Sequence, residues 1–236
     1  MRRTMLATPV VALLSGALLA GCAPGAGSPG AGSSGASTAG FAEVLAMPAP
    51  TADYAWYPET VTDALPSVRY PGDAHASELA AVGRFTGWEP GEPPHPSLEM
   101  IDLTFEVDEV IDSVGDLTML EGTTVAVHVG IDGSAGLERV AEELLALDDV
   151  VLFLNHVGPE PWPPPEWVIV FDNAFLGDVD DGGAITWPVA EAIAANNPAD
   201  SHPEADVTTL DGLRAAATAA TTAATTEERT VDVSLD

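Results

Sequence analysis

From Met100 to Val110 apolar and polar residues alternate without a break. Ile101, Leu103, Phe105 and Val107 fall on one side, and Asp102, Thr104, Glu106 and Asp108 on the other. Successive side chains of a strand point to opposite faces, so the pattern specifies a strand with one face in a core and one in water. Thr123 to Val129 repeats it through Val125, Val127 and Val129. Leu79 to Trp88 reads as an earlier strand, with Gly83 and Gly87 marking bends. Two short apolar runs, Val150 to Leu154 and Trp167 to Phe171, have the form of buried strands. The Asp181-Gly182 pair ahead of Ala184 to Trp187 marks a hairpin.

Helices are few. Leu137, Val140, Ala141, Leu144 and Leu145 recur at helical intervals between the third and fourth strands, so Leu137 to Leu147 predicts one short amphipathic helix. Thr208 to Ala224 predicts a second, with Thr208 or Thr209 as its cap and Leu210, Leu213 and Ala217 facing the domain. Short strands with turns about every ten residues and so little helix suggest a closed barrel or a sandwich. The expected fold is mainly β: a small antiparallel barrel of five to six strands, with one helix between strands and one at the C-terminus.

The flanks follow from composition. Residues 22–40 are almost wholly Gly, Ser, Ala, Pro and Thr, with nothing to bury, and read as a flexible tether. Residues 41–77 mix prolines at 48, 50, 58, 66 and 71 with Phe41, Tyr54, Trp56, Tyr57 and Tyr70. Prolines at that density forbid long regular elements, so this is expected to be an arm packed on the domain, with a single helical turn within Glu59 to Leu65. Residues 78–226 are the barrel with its C-terminal helix, and 227–236 an acidic tail.

Ahead of the tether, Arg2 and Arg3 form a basic start to an apolar stretch that ends in Leu19-Ala20-Gly21-Cys22. That string resembles the bacterial lipobox, and the chain's one cysteine falls on it. The resemblance implies a signal peptide over 1–21, cut before Cys22, and a diacylglycerol thioether on that cysteine. Fatty chains such as palmitate would then hold the protein to the extracytoplasmic face of the cell membrane. Two acyl chains anchor stably where one binds only marginally. The Arg2-Arg3 pair also resembles a twin-arginine export signal, so the export route stays open.

Charge narrows the function. The chain has 37 acidic residues against 7 basic ones, all of them arginine, for a formal net charge of -30 over 236 residues. Removing the leader takes away two of those arginines and no acid, which leaves -32. Such a surface repels nucleic acid and anionic headgroups within a Debye length. With one cysteine there is no intrachain disulfide, so an exported domain of this kind depends on its core.

The strand order carries a second resemblance. Val82-Gly83-Arg84-Phe85-Thr86-Gly87 followed by the strand bearing Glu106-Val107-Asp108-Glu109-Val110, then Val150-Val151-Leu152-Phe153-Leu154, the Asp-Gly hairpin and Leu210-Asp211-Gly212-Leu213, resembles uncharacterised lipoproteins of high-GC Gram-positive bacteria. It spans roughly residues 78 to 216 and implies a five-stranded barrel of the OB or tissue-inhibitor type. The loop around Leu120 to Thr124 departs from it, lacking the basic residue expected before the glycine. No activity comes with the resemblance.

No catalytic or cofactor signature stands out. The histidines at 75, 95, 128, 156 and 202 have no metal-motif spacing. Asp178, Asp180 and Asp181 imitate the start of a calcium loop, but the twelfth position is Val189 where a bidentate glutamate belongs. A hairpin turn, with its neighbouring aspartates facing water, is the favoured account of them. No nucleophile elbow or phosphate loop occurs. Trp162, set among prolines, and Trp167 after them could anchor a partner or a sugar ring, or cover the open end of a barrel. The favoured reading is a non-enzymatic, membrane-anchored domain that binds an extracytoplasmic protein or ligand. A carboxylate-based hydrolase and a small-ligand carrier stay open beside it.

Overall fold

The structure, a computed structural model, describes residues 39–46, 58–70, 74–92, 98–132, 136–156, 166–169, 173–196 and 204–233. The leader, the cleavage site, Cys22 and Trp162 lie outside the described residues.

Five strands close into a barrel: β3 (Leu79–Gly91), β4 (Leu98–Ser113), β5 (Thr124–Asp132), β6 (Asp149–His156) and β7 (Glu166–Ile169). Two short strands, β1 (Arg69–Tyr70) and β2 (Ala74–His75), form a separate ribbon ahead of them. Around the barrel the order is β3-β4-β5-β7-β6, and β6 returns to β3 through pairs running from Leu79↔Leu154 to Gly83↔Val150. Helix α2 (Leu137–Leu145) sits between the third and fourth barrel strands, which together with this order makes the barrel OB-like.

The barrel is antiparallel as expected but for one pair. The pair β5–β7 is parallel, with Val127 opposite Trp167. Directions cannot alternate all the way round a ring with an odd number of strands, so closing five of them forces one parallel neighbour.

Two cores explain the sequence patterns. Inside the barrel, Ile101, Leu103, Phe105 and Val107 of β4 meet Val125, Val127, Val129 and Ile131 of β5, and Val140, Ala141 and Leu144 of α2 pack against them. A second core lies outside the barrel wall, on the back of β3 and β6. There Ala80, Val82, Val151 and Phe153 are covered by Val61, Ala64 and Leu65 of the preceding segment and by Phe175 and Trp187. Strand β6 is therefore buried on both faces, which is why Val150 to Leu154 is apolar without alternation.

The strands β8 (Leu176–Val179) and β9 (Ile185–Thr186) extend the sheet from β6 and help cover that back. Helix α4 (Leu210–Val233) completes the cover with Leu213 and Ala217. Thr209 caps it, its Oγ1 accepting the backbone N–H of Gly212 at 3.1 Å. The helix runs on to Val233, through most of the stretch read as an acidic tail. Alanine's helix propensity supports that second half without large apolar side chains. Thr218, Thr221, Thr222, Thr225 and Thr226 each donate a hydroxyl to the carbonyl four residues back, which satisfies them within the helix.

Two helices escape the sequence pattern. Helix α1 (Ala39–Leu45) begins where the tether was expected to end and buries Phe41, Ala42 and Leu45 in the inner core. Helix α3 (Pro188–Asn196) follows β9 at once, with Pro188 in its first turn, where a missing N–H costs nothing. The single helical turn expected between Glu59 and Leu65 is a 3-10 turn at Thr62–Ala64.

Candidate functional site

The hairpin of β8 and β9 holds the three aspartates singled out as weak metal candidates. Asp180 accepts the backbone N–H groups of Gly182 and Ala184 on a single oxygen, both at 2.8 Å, and so fixes the turn. Gly183 takes φ +76°, a conformation open to glycine at little cost. Asp181 points to solvent, and Asp178 is half-buried on β8. Burial pushes the Asp178 carboxyl above its usual range, and the charges of Asp148 and Asp180 push it the same way. Among the described residues no three His, Cys, Asp or Glu side chains converge as metal ligands. The hairpin account describes Asp180 directly.

Between this turn and the start of α4 runs a groove of about 550 Å³, lined among others by Asp149, Asp180, Asp181, Asp211 and Arg214. Its arginine is already committed. Arg214 grips Glu109 through Nε at 2.9 Å and Nη2 at 2.6 Å, and reaches Asp211 at 3.0 Å. Hydrogen bonding to Glu109 is the main reason its guanidinium binds its proton more tightly than usual. The clamp ties α4 to β4.

Trp167 is a correction to the exposed-anchor expectation. It is only 4% exposed and sits in the inner core, on the barrel wall opposite Val127. The ring of His156 meets it edge to face with centroids 5.4 Å apart, and among the described residues the indole N–H has no hydrogen-bond partner. The sequence showed tryptophan after prolines. Trp167 also opens the apolar run read as a buried strand, and there alternation turns its ring inward.

The front of the barrel, the outer face of β4 with its neighbours, is the surface that sequence reasoning passed over. The pairings Glu89↔Asp102, Asp102↔His128 and His128↔Val168 set four residues in a row across β3, β4, β5 and β7. In that row His128 Nδ1 lies 2.6 Å from Asp102 Oδ1, with the two side chains 18% and 23% exposed. Glycines keep the neighbouring strands low. A Cβ at Gly91 would collide with the Asp102 carboxylate, and one at Gly130 would touch the Met100 sulfur at 3.5 Å. Further along β4, Glu106 holds Arg84 at 3.2 Å, while Thr104 and Asp108 are exposed. The signal for this surface was present in the polar halves of the alternating strands. Its register was not, because pairing across strands fixes which polar residues meet.

Comparison of the chain with family models, with curated proteins and with solved structures found no match.

Proposed function

We propose that the chain is a non-catalytic binding module, held by lipid on Cys22 to the outer face of the cell membrane, that meets its partner or ligand on the front of the barrel. The observation that carries the binding half is the asymmetry between the two outer faces. The back of β3 and β6 is buried under the protein's own segments, whereas the front of β4 and β5 keeps a polar face toward water. A barrel filled by Leu103, Phe105, Val127 and their neighbours favours recognition on that surface over carriage of a ligand inside. OB-type barrels in general use the face of their second and third strands for binding, and here those strands are β4 and β5.

The membrane half rests on the Leu19-Ala20-Gly21-Cys22 string. Among the described residues no helix is long and apolar enough to cross a membrane. Cys22→Ser is expected to move the protein from the membrane pellet to the soluble extracytoplasmic fraction and to abolish incorporation of labelled fatty acid. A Cys22→Ser protein that stays in the pellet and keeps the label would overturn the lipid anchor.

A further inference from the structure

The front face is selective in its chemistry, and we infer that its partner is an extended, basic polypeptide segment. This deepens the binding-module reading and rests on it. Along β4 the outward residues are Met100, Asp102, Thr104, Glu106 and Asp108, so carboxylates recur at every second or fourth position. A strand rises about 3.3 Å per residue, which spaces alternate side chains by about 6.6 Å. A second extended chain has the same period and can set Lys or Arg at alternate positions against that row. Glu89 on β3 widens the acidic strip, since it is exposed and in register with Asp102.

Four carboxylates, Glu89, Asp102, Glu106 and Asp108, stand on this face against one arginine, Arg84. Arg84 is bridged to Glu106, and His128 is bonded to Asp102. The balance of charge on the face is therefore negative, which attracts a basic segment and repels an acidic or phosphate-bearing one. Gly87 carries no side chain above the sheet, and a Cβ there would meet only Thr104, at 3.7 Å, so an incoming backbone can approach closely at that position. Met100 and Val168, both half-buried, offer apolar contact beside the charges.

Net charge alone would attract any cation anywhere on this protein, so the test separates place from total. The full chain is titrated with an alternating Lys-Thr octapeptide, with its Glu-Thr counterpart and with a neutral oligosaccharide. The titrations are repeated on two triple variants that remove equal charge: Glu89→Gln, Asp102→Asn, Glu106→Gln on the front, and Glu138→Gln, Glu142→Gln, Asp181→Asn away from it. The inference expects salt-sensitive binding of the Lys-Thr peptide alone, weakened ~10-fold or more by the front triple and less than about twofold by the other. Circular dichroism of both variants establishes that they are folded. Equal losses in the two triples would reduce the attraction to diffuse charge and overturn the inference. Saccharide binding weakened by the front triple, without peptide binding, would overturn the basic partner while preserving the binding-module reading. No binding by any of the three would also overturn the inference, and would leave that reading to be judged on intact cells.

Discussion

Replacing Gly83 by alanine is expected to destabilise the domain by at least about 3 kcal/mol, the upper end of what overpacking a core typically costs. Gly83 lies on β3 next to a register shift between Val82 and Gly83, opposite Val107. A Cβ there would run into the backbone carbonyl oxygen of Glu106 and lie 2.9 Å from the edge of the Phe105 ring. A side chain could swing away, but a carbonyl in a paired strand cannot move without breaking the ladder that closes the barrel. Gly87, four residues further along the same strand, is the control. Its Cβ would meet only Thr104 at 3.7 Å, an ordinary contact, so Gly87→Ala is expected to change stability by no more than about 0.5 kcal/mol. Urea unfolding of the two variants measures both values. Similar midpoints for Gly83→Ala and Gly87→Ala would mean that β3 does not approach β4 as closely as the structure has it.

The second large effect is expected at Trp187, the largest side chain in the outer core. It is fully buried, its ring lies 6.0 Å from that of Phe153 and 6.4 Å from that of Phe175, and its indole N–H donates to the Val207 carbonyl at 2.7 Å. Phe153 belongs to β6, Phe175 immediately precedes β8, and Val207 lies just ahead of α4. One indole thus joins the barrel wall, the hairpin and the approach to the C-terminal helix. Trp187→Ala is expected to cost roughly 3–5 kcal/mol, a large part of the stability of a typical domain. Trp187→Phe keeps a ring and loses the hydrogen bond to Val207, so its cost is expected to be clearly smaller. A loss under about 1 kcal/mol for Trp187→Ala in urea unfolding would show that the back of the barrel is not a second core.

The expected effects at these two positions bear on what the sequence could reveal. Strand β4 was legible because one of its faces meets the inner core and the other meets water, so the alternation of Ile101, Leu103, Phe105 and Val107 survives in the chain. Strand β6 was legible for the opposite reason, since both its faces are buried and Val150 to Leu154 carries no polar residue. The hairpin and the cap of α4 were legible because Asp180 and Thr209 act within a few residues of themselves. Helix α1 was hidden because it carries only two bulky buried side chains, Phe41 and Leu45, next to a run of small residues. Helix α3 was hidden because its buried side chains, Pro188, Val189, Ala190 and Ile193, do not trace one clear stripe.

The candidate site was less legible than the fold. Asp102 and His128 are 26 residues apart and read as two unrelated polar positions until the register of β4 and β5 puts them side by side. Trp167 attracted attention through its proline-rich surroundings, and burial in the barrel wall answers for it. Composition was the better guide. An acid-rich, lysine-free chain is poorly suited to anionic partners before any geometry is known, and in the structure Arg84, Arg139 and Arg214 stand in ion pairs.

The central claim is that the front of the barrel is where this protein meets its partner. Photo-crosslinking on intact cells tests it most directly, with a photoreactive residue placed at Thr104 on the front, at Thr222 on the exposed side of α4, or at Glu142 on the outer side of α2. The account predicts a discrete crosslinked species from position 104, absent from positions 142 and 222 and lost when Cys22→Ser releases the protein from the membrane. A discrete species from 142 or 222 with none from 104, or the same pattern from all three, would contradict it.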